Sequence, residues 1–225
     1  MREFNALSGY PEPKNPRIVS PNIRTIHHRI VASYRDKEFY DGDRNFGYGG
    51  FNYDGRWLPI AKNMCKEYGL TNKSSVLQIG CDKGFLLNDF LQIHSNIKIR
   101  GTDISDYAIE NTMDSVKPFV QKADFTQLPF EDGEFDFVIA IGPVYTLILN
   151  DSIKCLQEIE RVGVGKSFIT LGSYTNEEEF WLFKNWSLLG SNILHENDWI
   201  EVLKYVNYRG DYKFVGASSL NLHKS

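Results

Sequence analysis

From Ser74 onward, short apolar runs of strand period alternate with amphipathic runs of helical period, and this limits the fold more than any other feature. SVLQIG (75–80) reads as a strand and Phe85 to Ile93 as a helix. IKIRGTD (97–103) reads as a strand, Tyr107 to Met113 as a helix and PFVQKAD (118–124) as a short strand. EFDFVIAIG (134–142) has the continuous apolar run of a strand buried on both faces. Ser152 to Val162 reads as a helix, KSFITLGSY as a strand, Asp198 to Tyr205 as a helix and DYKFVGAS as a last strand. Thr175 and Glu178 form a capping box that predicts a helix start near Asn176. Such alternation requires right-handed crossovers and a mostly parallel sheet covered by helices on both faces.

The 225 residues suit one sizeable core. A net charge of -4 and a pI near 5.8 argue against a nucleic-acid partner, which usually meets a basic face. Cys65, Cys81 and Cys155 are odd in number and lack a CxxC pair, so neither a disulfide framework nor a cysteine metal site is expected. The first 16 residues lack the apolar core of a signal peptide. The run from Phe137 to Leu149 is too short to span a bilayer and is broken by Gly142 and Pro143. A cytoplasmic protein without membrane insertion is expected, and a homodimer is compatible with these features.

Ahead of the alternating part, residues 1 to 22 carry four prolines and read as an extended arm. Residues 23 to 40 read as a helix, with Ile26, Ile30 and Tyr34 on one face. Residues 40 to 57, YDGDRNFGYGGFNYDGRW, mix glycine with aromatic and charged side chains and read as a loop that folds over a ligand. Residues 58 to 69 read as a helix ending at Gly69. The expected division is therefore an N-terminal arm, helix and glycine-rich lid over 1–57 and the main domain over 58–225.

Ligands of open parallel sheets bind outside the carboxyl ends of the strands. At those ends stand Gln78-Ile79-Gly80-Cys81-Asp82-Lys83-Gly84, then Asp103, then Ala123-Asp124-Phe125, then Ile141-Gly142-Pro143-Val144-Tyr145. Gly80 permits a tight turn, and Gly84 opens the next helix. Asp103 suits a ribose diol, and Asp124 an exocyclic adenine amine. Any one of these has a plain structural reading as a cap or turn residue. Their order and their places at successive strand ends make the set specific. A nicotinamide-binding loop would need G-x-G-x-x-G, whereas the glycines here stand at 80 and 84 with an aspartate between them.

Over residues 75 to 172 the chain resembles the class I S-adenosylmethionine-dependent methyltransferases, in their bacterial small-molecule branch. The carriers of the resemblance are VLQIGCDKG, GTDISDYAIE, ADFTQLPFEDGEFDFVIA and EIERVGVGKSFIT. The family's first motif reads acid-x-Gly-x-Gly-x-Gly. Gln78 stands in place of its acid and Asp82 in place of its middle glycine. The resemblance implies a Rossmann-like α/β fold, with a mostly parallel seven-stranded sheet, helices on both faces and an N-terminal lid. It implies S-adenosylmethionine as cofactor, held by Gln78, Gly80, Cys81, Gly84, Asp103, Ile104, Asp124, Phe125 and Ile141. Of these, Gly80 and Cys81 would meet the methionine part through their backbone, Ile104 the adenine face and Phe125 the adenine ring.

The acceptor's lone pair must be held at attack distance with water excluded. Candidates for substrate binding are Tyr40, Arg44, Tyr53, Arg56, Tyr174 and Trp186, and for catalysis His195, Tyr145 and Tyr48. Tyrosine hydroxyls with Arg and His suit a phosphate or carboxylate. N-methylation of a small phosphorylated amine, such as ethanolamine phosphate, is the leading expectation. O-methylation of a sugar or sugar nucleotide for surface polysaccharide is the second. A non-catalytic cofactor-binding module is the third, favoured by the substitutions at Gln78 and Asp82.

Overall fold

The computed structural model describes residues 1–13 and 15–225. Ten strands and nine α-helices occur among them. In chain order they are β1 (Arg2–Glu3), β2 (Arg17–Val19), α1 (Ile26–Ser33), α2 (Lys37–Asp41), α3 (Leu58–Tyr68), β3 (Ser75–Ile79), α4 (Phe85–Ile93), β4 (Lys98–Asp103), α5 (Asp106–Glu110) and β5 (Val120–Lys122). Then follow β6 (Phe137–Ala140), α6 (Pro143–Thr146), α7 (Leu149–Val162), β7 (Ser167–Tyr174), α8 (Glu177–Trp186), β8 (Leu194–His195), α9 (Glu196–Tyr205), β9 (Asp211–Val215) and β10 (Leu222–Lys224).

The main sheet runs β1-β9-β7-β6-β3-β4-β5, with β8 paired to β7 beside this path. Its seven-strand path and two helical layers match the expected α/β fold, and each of its pairings is parallel. From β3 the chain steps outward to β4 and β5, then returns to the other side of β3 with β6. This reversal leaves a crevice above β3 and β6. In register, Ile79 pairs with Thr102 on one side and Ala140 on the other, so Gly80, Asp103 and Ile141 emerge together.

Two cores flank the sheet. Leu77, Ile79, Val138 and Ala140 face α7 and α9, where Trp199 is fully buried and donates Nε1–H to Gly172 O at 2.8 Å. Val76, Phe137 and Ile139 face α3 and α4 with Ile60, Met64 and Phe90. A residue like Trp199 contributes about 3–5 kcal/mol through burial and packing.

The N-terminal arm is pinned at both of its strands. β1 adds an edge strand beside β9, and Arg2 reaches Asp211 Oδ2 at 2.7 Å. β2 pairs with β10, a strand the sequence pattern did not predict.

Several local expectations are corrected. Residues 23–40 form two short helices, because Arg35 takes φ +49 and turns the chain between them. Ile26, Ile30 and Tyr34 share a face as expected, but that face points to solvent, at 72%, 50% and 71% exposure. α5 ends at Glu110, three residues early, and β5 is confined to 120–122. Asn176 caps α8 by accepting Glu179 N–H at 3.0 Å, and Glu179, not Glu178, reaches back to Thr175. α9 starts two residues early, with His195 as its cap.

Candidate active site

After β3 the chain turns at Gly80, with φ +67, and a Cβ there would collide with the Pro143 ring. The two loops that frame the crevice thus touch at a point where only glycine fits. Asp82 follows with φ +49, a region that aspartate tolerates better than most residues. This explains how aspartate replaces a family glycine here. Its backbone does what glycine would do, and its carboxylate is added to the site. Gly84, at φ +79, has no room for a Cβ either, since one would meet Val116 Cγ2 at 2.6 Å.

Asp82 and Asp103 lie side by side. Asp103 accepts the backbone N–H of Asp82 at 2.9 Å and of Ser105 at 2.9 Å. These bonds tie the β3 and β4 loops together and leave further lone pairs on Asp103 for a ligand. Burial first, and then the Asp103 charge, push the Asp82 carboxyl up to about 7. Burial also raises Asp103, against the N–H donors that hold it down.

The lid supplies the counterweight. Tyr40 is fully buried, and its hydroxyl donates to Asp82 Oδ1 at 2.9 Å, while Tyr48 reaches Oδ2 at 3.4 Å. Burial and the neighbouring carboxylates push the Tyr40 hydroxyl far up, so it remains a donor. Arg35, between α1 and α2, faces Asp82 and Asp103 as the nearby cation and donates to Thr146 Oγ1 at 3.1 Å. The lid is anchored by Asp41. It meets Lys83 Nζ at 2.7 Å and accepts from Tyr107 Oη at 2.7 Å and Phe51 N–H at 3.0 Å. Aromatic rings continue the contact, with Tyr48 stacked on Phe51 at 4.2 Å and Phe51 on Phe85 at 4.8 Å.

Beside Asp103 a cavity of about 530 Å³ is lined by Ile104, Lys122, Ala123, Asp124, Thr126, Leu147 and Asp151. Asp124 Oδ1 is occupied by Thr126 N–H and Oγ1–H, at 2.8 and 2.7 Å. A second cavity, of about 640 Å³, opens by Lys73, Lys98 and Asp136 at the amino ends of β3 and β4, away from these loops.

The candidate residues divide by place. Tyr40, Tyr48, Asp103 and Tyr145 converge on the crevice. The Tyr145 hydroxyl is raised by burial and lowered in turn by Arg35, and its ring packs where Gly172 has no side chain. Ile104 and Asp124 line the adjoining cavity, and Ile141 is half-buried at the end of β6. Gln78 is buried with its Oε1 unpaired. Cys81 spends its N–H on Thr102 O at 3.0 Å, and its carbonyl accepts from Gly84 N–H at 2.9 Å. Phe125 does not line the cavity. It is 1% exposed within the core beside Leu128, because the turn that Asp124 and Thr126 make directs it inward.

Other candidates lie elsewhere. The Tyr53 hydroxyl donates to Asp89 at 2.6 Å on α4, and Arg56 pairs with Asp54 at the surface. Arg44 donates to the Gly47 carbonyl within the lid. His195 accepts Asn197 N–H on Nδ1 at 3.2 Å as a helix cap, and its ring stands edge-on to Tyr174. Trp186 lies under Arg24. The sequence reading missed Arg35, whose position inside an apparently continuous helix gave no signal.

The donor set fits S-adenosylmethionine. Its ammonium and sulfonium are cations, and a carboxyl such as Asp82, raised by burial and by the Asp103 charge, is relieved by a cation. Gln78 Oε1, a buried acceptor without a partner, is suited to an ammonium. The cavity beyond Asp103 offers the apolar side chains of Ile104, Ala123 and Leu147 to a base and the carboxylates of Asp124 and Asp151 to its amine.

Residues 77–167 match the family model described as a methyltransferase domain. No curated protein matches the chain in sequence. Among solved structures, the YcgJ protein of Bacillus subtilis is 16% identical, with TM-score 0.55, over 68% of this chain and 68% of that one. A putative methyltransferase from Bacillus halodurans is 16% identical, with TM-score 0.52, over 65% and 67%. The MccD protein is 23% identical, with TM-score 0.39, and the match spans about half of each chain, 46% and 47%. At these identities the likeness is one of fold. Fold and matched motifs define a Rossmann-like cofactor-binding domain. Over residues 77–167 the chain is similar to a methyltransferase domain, and such domains take S-adenosylmethionine.

Among the described residues, no helix is long and apolar enough to cross a membrane.

Proposed function

We propose that this chain transfers a methyl group from S-adenosylmethionine to a small molecule, with the nitrogen of a small phosphorylated amine such as ethanolamine phosphate as the leading acceptor. The observation that carries the reading is the lid closing on the carboxylate pair through the Tyr40–Asp82 bond at 2.9 Å. A groove covered in this way takes a small acceptor more readily than a protein surface or a duplex. The cofactor supplies an electrophilic methyl on a sulfonium. In this reading residues 1–57 supply the arm, the helix and the glycine-rich lid, and 58–225 form the transferase proper, working in the cytoplasm.

Asp82 and Gln78 hold the cofactor's amino-acid end, Asp103 its ribose, and Ile104 with Asp124 its base. Tyr40 and Tyr48 shield the carboxylates from water and orient them. Tyr145 and Tyr48 present hydroxyls near the acceptor, where each can accept or donate a hydrogen bond as a proton leaves the nucleophile.

The test is methyl transfer to ethanolamine phosphate and related amines beside a panel of sugars and sugar nucleotides, with S-adenosylhomocysteine affinity measured by calorimetry. Turnover on an amine supports the reading. Turnover confined to a sugar hydroxyl replaces it with O-methylation. Failure to bind S-adenosylhomocysteine overturns the enzyme altogether.

A further inference from the structure

Trp186, the last residue of α8, carries two guanidinium groups. Arg24 stands 4.1 Å and Arg17 5.6 Å from its ring centroid. Arg24 is only 8% exposed, and its one protein acceptor among the described residues is the Trp186 carbonyl at 3.1 Å. Arg29 backs it, donating to Arg24 O at 3.3 Å and to Lys184 O at 2.8 Å. Among the described residues none of these arginines pairs with a carboxylate.

Buried charges are normally paired, because removing them from water unpaired is costly. Here burial and then Arg44, Arg17 and Arg29 push the Arg24 guanidinium down to about 9, so every charged group acting on it is another arginine. Arg17 is likewise lowered by burial and by Arg44. Arg24 also holds φ +58, an uncommon backbone state for a long side chain. The cluster connects to the crevice through the lid. Arg44 comes from the lid and faces Tyr48, whose hydroxyl reaches Asp82 at 3.4 Å.

We propose that Arg17 and Arg24 at the Trp186 ring, with Arg44 of the lid as a neighbouring charge, form an oxyanion subsite that holds the phosphate or carboxylate of the methyl acceptor. Guanidinium groups match the geometry of both oxyanions, and a bound oxyanion supplies the charge that the cluster lacks. The subsite's role in orienting an acceptor rests on the methyl-transfer reading above, while its capacity to bind an anion does not.

The experiment titrates inorganic phosphate into the full chain, followed by phosphorus NMR line width, with acetate in a parallel arm. Calorimetry with S-adenosylhomocysteine on each variant checks the fold and the cofactor site. Phosphate should bind the unaltered protein. Arg24→Gln and the half-buried Arg17→Gln should each weaken it about tenfold, as expected for one charge-assisted pair, with S-adenosylhomocysteine affinity unchanged. Acetate binding in place of phosphate, with the same sensitivity, assigns the subsite to carboxylates. Absence of both anions from the unaltered protein overturns the proposal, and so does binding that Arg17→Gln leaves intact. Phosphate binding without any S-adenosylhomocysteine binding upholds the subsite and defeats the methyl-transfer reading instead.

Discussion

The Tyr40 hydroxyl donates to Asp82 Oδ1 at 2.9 Å, which joins a lid residue to a cofactor-loop residue 42 positions away. This bond lowers the Asp82 carboxyl against burial and the Asp103 charge. Tyr40→Phe removes the donor and keeps the ring in its stack on Tyr107. It should cost about 1–2 kcal/mol, measured by urea denaturation. The Asp82 titration should also move above its present value near 7. A variant as stable as the parent would remove the bond from the account of lid closure.

The raised Asp82 carboxyl sets a pH dependence. Its pKa in the folded chain is about 7, against an ordinary value of about 4. The folded chain therefore retains a proton that the unfolded chain has released. Stability from this group is present below the ordinary value and is lost as pH rises from about 4 to about 7. Urea midpoints between about pH 5 and about pH 8 should fall in the ligand-free protein, and less so in Asp82→Asn. Affinity for S-adenosylhomocysteine, which carries the ammonium, should rise over the same window as Asp82 ionises.

Asp41 behaves in the opposite sense. Burial pushes its carboxyl up, but Lys83, Phe51 N–H and Tyr107 outweigh burial and hold it below the usual carboxylate range. Its contribution is present above that range and is lost on acidification through the lowered value. Asp41→Ala leaves Lys83, 9% exposed at its side chain, without its partner. It should cost roughly 2–4 kcal/mol. Limited proteolysis should then cut first within residues 42–57, and equal resistance in the parent and the variant would remove Asp41 as the lid's anchor.

Gly80→Ala separates backbone fit from simple glycine loss. A Cβ at 80 runs into the Pro143 ring at φ +67, whereas Gly55, at φ +77, has nothing within 4 Å. Gly80→Ala should destabilise the protein by about 1–3 kcal/mol and weaken S-adenosylhomocysteine binding at least about tenfold. Gly55→Ala should cost about 1 kcal/mol and leave that affinity alone. Similar losses of affinity in both would show that the loop does not depend on close approach at Gly80.

The central strands and the helices α4 and α7 were legible because each has a period that one buried face enforces. Apolar strands such as FVIA admit few alternatives. The carboxyl ends followed from strand order, so Gly80, Asp103, Ile104 and Asp124 could be placed before any coordinates. The burial of Phe125 in the core was not legible, because the direction of one side chain after a turn depends on that turn's hydrogen bonds, here Thr126 to Asp124. The short helices at 26–33 and 37–41 were merged because the break at Arg35 lies in a backbone torsion, not in a pattern of residue types.

The sequence by itself determined the parallel α/β sheet, the position of the cofactor loops and the presence of an aromatic, glycine-rich lid, since all three are written in local periodicity and local backbone permission. Only the tertiary structure decided which lid residues meet the loops. Tyr40 and Asp41 turn to Asp82 and Lys83, whereas Tyr53 and Arg56 turn away. It also brought Arg17 and Arg24 over the Trp186 ring, with Arg44 as a charge acting on Arg24, from separate segments of the chain. Contacts between residues far apart in sequence depend on packing geometry and on the pairing of buried charge, and neither leaves a periodic trace in the chain.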